Sequence, residues 1–473
     1  MKYILYATSV SMTNMSMTNM SMTSMSMTSV SMTSVSILTG RKRRNGGIVI
    51  AMKLMLGNAR AAITPELGGL FAGYGSPKPS TGVHDDLTAT AIFLEYGGVK
   101  VLFLGLTIIG VGNELTAELR DICGKAAGVP AENVLISSVH THSGPLFRNG
   151  DPEGYVDAIL RPKLLAVSGE AAGNARPVTV GIATTKTLVG CNRRKLLRDG
   201  KVILAQNPWG AYDSEMTVIS FKGEDGRAAA NIVHCAAHNT SAGINTEVTR
   251  DWCGVMIDRL EAETGGMTAF FNGCAGDICP RTANGGSTAD ISQTMEIGAV
   301  AGIDAVRAYN DIREYRDLDL AVVTDEVRIP YAPIKPLAQA EAEYDAIKDS
   351  TERFHPGMAK LLKEVIEMHE KGDAGPADFT HQQTIVRLGP AVFIPVPFEP
   401  STEISLRLRA YSKFGYTLAM GYCNGSNSYL PSQDQLCRGG YEVERFRWSK
   451  PRQLPDDADT LLINENLRIM DKL

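Results

Sequence analysis

The sequence predicts an α/β fold of mixed β-sheets flanked by helices. Three observations carry that prediction. Strand-like apolar runs alternate with helical patterns along most of the chain. Some of those runs are apolar at nearly every position, as in a strand buried on both faces. Beyond residue 51, no stretch rich in glycine, serine or proline cuts the alternation, so residues 52–473 read as one large catalytic unit.

The first segment stands apart. Residues 11–35 read SMTNM SMTNM SMTSM SMTSV SMTSV, a pentapeptide in tandem, and basic RKRR follows at 41–44. The repeat has almost no charge and no period that would bury a helix or strand face, so residues 1–51 are expected to be disordered. It reads as a short DNA repeat carried through in frame, which puts the functional start at Met52 or Met55. The opening MKYILYA is too brief an apolar patch for a secretory signal. A chain beginning at Met52 is expected to fold and melt as the full chain does. A fall of several degrees in Tm on truncation would show that residues 1–51 pack on the core.

The elements follow in order. AIFLEY (91–96) and VKVLFLGLTIIG (99–110) read as strands, the second largely buried. NELTAELRDICGKAAG (113–128) reads as a helix closed by glycine, and NVLISSV (133–139) as the next strand. Further strands are read at 178–186, 216–222, 229–236, 267–272, 317–329, 382–388, 391–396 and 416–422. Further helices are read at 153–174, 252–263, 294–309 and 400–413. Residues 335–372 are charged and rich in alanine and glutamate, between Pro336 and Gly372, and read as a helical excursion over the core.

Composition excludes some function classes. With 44% hydrophobic residues, 21% charged residues and a net charge of −5, the chain is an ordinary globular protein and not a general nucleic-acid binder. No apolar run approaches the ~20 residues of a membrane span. The eight cysteines form no C-x-x-C pair and are widely spread. They predict neither a disulfide framework nor a zinc ribbon, and a reducing, cytoplasmic setting.

Four stretches could carry chemistry. NVLISSVHTHSGP (133–145) ends a strand on His140 and His142, which as i and i+2 of an extended segment face one spot. Active sites of α/β proteins commonly sit at such strand ends. Two surface histidines hydrogen-bonded at a turn are the plainer alternative. NIVHCAAHNTS (231–241) ends a second strand on His238, while His234 lies mid-strand and reads as a satisfied core histidine. AVFIPVPFEPSTEISLRLR (391–409) runs from a strand through Glu399 into a helix with a Ser/Thr cap. That carboxylate is either helix-dipole compensation or an oxygen ligand beside two histidines. FNGCAGDICP (271–280) reads as a glycine-dependent turn exposing Asp277 and Cys279.

Taken in sequence, VHTHSGP, AHNTS, GDICP, FEPST and NGSNSYLPS…GGYEV resemble the catalytic domain of the neutral (alkaline, non-lysosomal) ceramidases, particularly compact bacterial members. The resemblance spans roughly residues 55–473. It implies the ceramidase catalytic-domain fold and one zinc ion per chain, held by His140, His238, Glu399 and Tyr429. It places His142, Arg193 (of Asn192-Arg193) and Tyr441 in the substrate-facing shell. It implies hydrolysis of an amide in a small-molecule or lipid N-acyl substrate by zinc-activated water. His142, Arg193 and Tyr441 would then be donors to the oxyanion, and His142 the proton carrier. An esterase or lactonase, a metal-assisted cysteine hydrolase, and a non-catalytic binding protein are the alternatives on this scaffold.

The chain departs from the family pattern at several positions. Cys279 stands where a serine is usual, Phe398 where a glycine is usual, and Ser426 where the tyrosine motif has its first tyrosine. Phe398 is expected to crowd the entrance, and the catalytic role of Cys279 stays open. With its last residue at Leu473, the chain is expected to lack the immunoglobulin-like C-terminal domain of the larger ceramidases.

Overall fold

The strands at Thr88–Tyr96 and Val99–Leu106 show how the sequence builds the molecule. Residues alternate between the two faces of a strand. Ala89, Ala91, Phe93, Leu102, Leu104 and Leu106 enter one core, and Ile92, Leu94, Val101 and Phe103 enter another. Both faces are buried, which is why VKVLFLGL is apolar almost throughout. The structure is a computed structural model and describes residues 52–75, 77–147, 151, 154–352, 354–373 and 375–473. The reading of residues 1–51 lies outside the described residues.

These strands belong to an eight-stranded mixed sheet. Its order is Met267–Asn272, Ala228–Cys235, Glu215–Gly223, Arg176–Lys186, Leu54–Ala62, Thr88–Tyr96, Val99–Leu106 and Val134–Ser138. The middle pairs are antiparallel, and the pair at each edge is parallel. The sheet is not a closed barrel, but its ends meet. Beyond the two strand ends, Thr141 and Asn239 form a parallel bridge.

A four-stranded sheet, ordered Leu320–Pro330, Asp378–Leu388, Ala391–Pro395 and Tyr416–Met420, covers the inner face. Val386, Leu388, Phe393, Leu418 and Met420 share a core with Phe103, Phe221 and Phe271 of the large sheet. The outer face of the large sheet is closed by two helix pairs. Asn113–Ala127 and Arg161–Gly173 cover one half, and Trp252–Thr264 and Ile291–Asn310 the other. Thr402–Tyr411 and Ala458–Met470 close the far side of the small sheet through Ile404, Leu408, Leu462 and Ile469. The result is a four-layer α/β/β/α stack.

The helical pattern over 335–372 resolves into two helices, Leu337–Ile347 and His355–Lys371, with Ala340, Leu362 and Val365 in a small core of their own. Three parallel strand pairs are each joined by a helix, namely Val99–Leu106 to Val134–Ser138, Ala228–Cys235 to Met267–Asn272, and Ala391–Pro395 to Tyr416–Met420. Ligands of open α/β sheets bind beyond the carboxyl ends of such strands. No helix among the described residues is long and apolar enough to cross a membrane.

Candidate metal centre

His140 follows Val134–Ser138, His238 follows Ala228–Cys235, and Glu399 follows Ala391–Pro395. Three βαβ junctions thus deliver one side chain each to a common point. The backbone there is strained. Of the five described non-glycine residues at positive φ, four are His140 (71°), Tyr422 (55°), Asn424 (59°) and Ser428 (89°). Such conformations cost of order 1–3 kcal/mol each and persist where surrounding structure enforces them. The enforcement is visible. His140 donates its backbone N–H to Ile108, Asn424 donates to Ile136, and the Asn424 side-chain oxygen accepts from the Ile136 N–H.

The histidine rings are fixed by carbonyls. His140 Nδ1 lies 2.6 Å from the Ile109 oxygen, and His238 Nδ1 lies 2.6 Å from the Ala275 oxygen. A nitrogen facing a carbonyl carries the proton, so in the neutral form of either ring the lone pair of Nε2 turns inward. Burial, with the Arg193 cation nearby, depresses His238 to about 4. Burial would raise the Glu399 carboxyl, but the His140 and His238 rings, when they carry a proton toward it, hold it well below the usual range. Its Oε2 is 3.3 Å from His140 Nε2 and 3.5 Å from His238 Nε2. Three lone-pair donors therefore face one another at the spacing, roughly 3.3–3.5 Å, of ligands around a tetrahedral zinc. Among the described residues, His238 Nε2 and Glu399 Oε2 are buried without a hydrogen-bond partner. Buried polar atoms left this way are costly, and a cation between them would satisfy all three.

His142 closes the group from the other side. Its Nε2 is 3.3 Å from His140 Nε2, and His140, His142 and His238 form a cluster with ligand atoms within 4.8 Å of one another. Burial depresses His142 well below its usual pKa, with His140 and His238 adding to the effect, so it too is neutral. Tyr74 packs edge-on against it at 4.9 Å, and Gly73 lies flat beneath its ring. A Cβ at Gly73 would stand 2.3 Å from His142 Nδ1, at a φ of +94°. Gly73→Ala is therefore expected to displace His142 and cut turnover at least about tenfold, since a small misplacement of a reacting group is expensive. Wild-type kinetics in that variant would separate His142 from the reaction.

Tyr429 pairs directly with Glu399 in a two-residue parallel ladder, so both side chains lie at the same end of the site. Its phenol is buried and accepts from Arg193 Nη2 at 3.1 Å. Burial first, and Glu399 next, push that phenol well above its usual range. Tyr441 packs edge-on against Tyr429 at 5.5 Å. A cavity of about 390 Å³ opens over the group, lined among others by His140, His142, Glu399, Tyr429 and Tyr441.

Arg193 donates Nη2 to Tyr429 and Nε to Glu442, the latter at 2.8 Å. Three sequence expectations need correction. The 271–280 turn buries Asp277 and Cys279 instead of exposing them. Its glycine brings the backbone onto the Glu399 segment, since a Cβ at Gly276 would meet the Glu399 oxygen at 2.4 Å. The helix Thr402–Tyr411 is not capped by Ser401. Asp277 accepts from the Thr402 N–H at 2.8 Å, and also from Asn192 and Gln435. Phe398 does not crowd the entrance. It is buried against Phe379 in the core of the small sheet.

Cys279 lies in a short ladder with Cys191, its Sγ 3.4 Å from the Cys191 oxygen, and burial pushes its thiol up to about 12. His234 is a core histidine as read, with Nε2 3.0 Å from the Ala419 oxygen. All eight cysteines are free.

Several residues escaped the sequence reading. Tyr422 stacks on His140 at 4.2 Å, and its buried hydroxyl has no hydrogen-bond partner among the described residues. Glu442 binds both Arg193 and Arg194. Asn239 Nδ2 donates to the Val139 oxygen, which ties the two histidine loops together, and Trp252 Nε1 donates to the His238 oxygen, which ties one of them to the helix Trp252–Thr264. Glu442 was visible only as the neighbour of Tyr441, and nothing around Tyr422 marked it.

Fold and site together define an α/β protein with a buried three-histidine and carboxylate centre at the ends of three βαβ units. No family model matches the sequence, and no curated protein matches it. Solved structures do. Neutral ceramidase from Pseudomonas aeruginosa superposes with a TM-score of 0.66 at 18% identity, covering 89% of this chain and 75% of that one. A ceramidase complexed with C2 superposes at 0.65, with the same identity and coverage. The fold is the mixed α/β fold of the neutral ceramidases.

Proposed function

We propose that this protein is a zinc-dependent, ceramidase-like hydrolase that cleaves the amide bond of an N-acyl substrate. The observation that carries the proposal is the convergence of His140 Nε2 and His238 Nε2 on Glu399 Oε2, at 3.3 and 3.5 Å, on a ceramidase fold. His140, His238 and Glu399 would hold the ion, with Tyr429 as the fourth ligand. When bound, zinc supplies a nucleophile at neutral pH, by drawing the pKa of water toward ~7, and polarises the carbonyl.

The chain's own residues do the rest. The Nδ1 contacts to Ile109 and Ala275 fix both ligand rings in the tautomer that leaves Nε2 unprotonated. Neutral His142, with Nε2 beside the site, is placed to take a proton and pass it to the leaving amine. Tyr441 lines the cavity and offers a hydroxyl donor to the oxyanion. Arg193 acts through Tyr429, which it holds by a hydrogen bond, and is a positioning residue.

A panel of N-acyl amides, esters and lactones, each assayed with and without chelator, tests this reading. Amide hydrolysis lost to chelator and restored by zinc is expected. Hydrolysis confined to esters or lactones would overturn it.

Cys279 fits pocket support better than attack, because a thiol at about 12 is scarcely ionised at neutral pH. Cys279→Ser should keep activity within about tenfold, ~1.4 kcal/mol of barrier, and Cys279→Ala should still turn over. Intact mass during turnover should show no acyl adduct. An adduct mapping to Cys279 would make the protein a cysteine hydrolase.

A further inference from the structure

The wall of the cavity away from the metal group is cationic. Arg445 and Lys450 both line it, and Glu399 is the only carboxylate among its lining residues. Glu399 is turned toward His140 and His238 and offers nothing to either cation. Lys450 is half-buried, with Nζ 3.2 Å from Asn427 Oδ1 and 5.5 Å from the centre of the Phe379 ring. Asn427 is itself fixed, donating to the Pro397 oxygen at 2.9 Å and accepting from Asn113 Nδ2 at 2.7 Å. An ammonium has three donors, and one is used here. The Arg445 guanidinium is exposed, lies 5.9 Å from the centre of the Phe354 ring, and stands between this cavity and a second one that Glu352, Glu364 and Glu444 also line. Among the described residues, neither cation has a carboxylate partner. The contrast with the deeper arginines is informative, since Arg193 and Arg194 both close on Glu442. Burial lowers the Lys450 pKa, so holding a charge there is unfavourable without an anion to meet it.

We propose that the substrate of this site carries an anionic group, seated at Arg445 and Lys450 while its amide lies at the histidine cluster. The proposal rests on the amide-hydrolase reading and narrows its substrate class to acidic N-acyl compounds. The shared chemistry is a carboxylate, which can lie on the amine side of the amide, as in an N-acyl amino acid, or on the acyl side, as in a monoamide of a dicarboxylic acid. Charge-assisted hydrogen bonds to such a group are short, directional and stronger than those to a neutral hydroxyl. A neutral ceramide headgroup leaves both cations unanswered.

The test uses the zinc-loaded full chain and four probes of matched acyl length: an N-acyl amino acid, a dicarboxylic monoamide, an N-acyl ethanolamine and a ceramide. Binding is measured by calorimetry, and hydrolysis separately. An acidic probe is expected to bind about tenfold or more tighter than the neutral ones, and to be hydrolysed with correspondingly lower KM. The side carrying the carboxylate in the better acidic probe assigns the pocket to amine or acyl. Lys450→Met and Arg445→Met, singly and together, should collapse the acidic-over-neutral ratio toward one, and raised salt should shrink it. Equal binding of acidic and neutral probes, or a ratio untouched by the double variant, overturns the proposal. Preferential binding of the acidic probe with no hydrolysis of any amide would overturn the amide-hydrolase reading and leave the anion site standing.

Discussion

Alanine at His140 or His238 should remove bound zinc and hydrolysis together. Each ring contributes one buried Nε2 to the group, and each Nε2 lies within 3.5 Å of Glu399 Oε2. The ligand rings are preorganised by carbonyl contacts, so binding need not pay to order them. Structural zinc sites with four ligands bind with ~10–16 kcal/mol, so one ligand carries roughly 2.5–4 kcal/mol, or about two to three orders of magnitude in affinity. Tyr429→Phe should weaken binding less, because two histidines and a carboxylate remain. His142→Ala separates two roles. If His142 only moves a proton, zinc stays at one per chain while turnover falls by about 10²–10⁴. If zinc is lost as well, His142 is a ligand and the three-histidine cluster is the primary site. Metal analysis after dialysis, beside activity, reads all four variants. One zinc per chain in the His140→Ala/His238→Ala double variant would sink this assignment.

The legible part of the molecule was local. Strand runs buried on both faces, such as 99–106, and helices closed by glycine, such as 113–127, announce themselves through period and punctuation. The strand-end histidines were legible for the same reason, because an apolar run stopping on His140 or His238 is visible without any neighbour. What was not legible depends on distant pairing. The Leu54–Ala62 strand alternates with Asn58 and Arg60, and its place in the middle of the sheet is fixed by partners at 88–95 and 176–178. The turn at 271–280 reads as exposed because it is rich in small residues, yet those residues let it pack beneath Glu399, where Asp277 caps a helix far along the chain. Tyr422 carries no motif, and Glu442 stands in GGYEV only as the neighbour of Tyr441. Their roles arise from the residues brought against them, His140 for one and two arginines for the other.

Glu442→Ala should be the most damaging single change outside the metal group. Glu442 Oε1 accepts from Arg193 Nε at 2.8 Å, and Oε2 accepts from Arg194 Nη1 at 2.6 Å. All three side chains are buried. Burial would raise the carboxyl, but the Arg193 and Arg194 charges hold it below its usual range. Arg194 is also tied to the Gly439 oxygen, and Arg193 to the Tyr429 phenol, so the cluster joins the 192–194 segment to the segment that carries Tyr429 and Tyr441. Removing the one carboxylate leaves two buried guanidinium groups uncompensated, and breaking a buried pair in this way costs about 3–5 kcal/mol. A large fall in unfolding free energy is expected, with activity falling further than stability alone explains, because Arg193 no longer holds Tyr429. Glu442→Gln keeps the shape but loses the charge and one of the two acceptors, because the amide nitrogen can only donate. It should stay folded, retain one zinc per chain, and still lose turnover. Arg193→Lys should not rescue function, since a single ammonium cannot bond Glu442 and Tyr429 in the fixed fork of a guanidinium. Denaturant melts, zinc content and kcat measured on the same preparations read these outcomes. A Glu442→Gln protein with wild-type melting and wild-type kcat would show that the buried charge cluster neither supports the fold nor positions Tyr429.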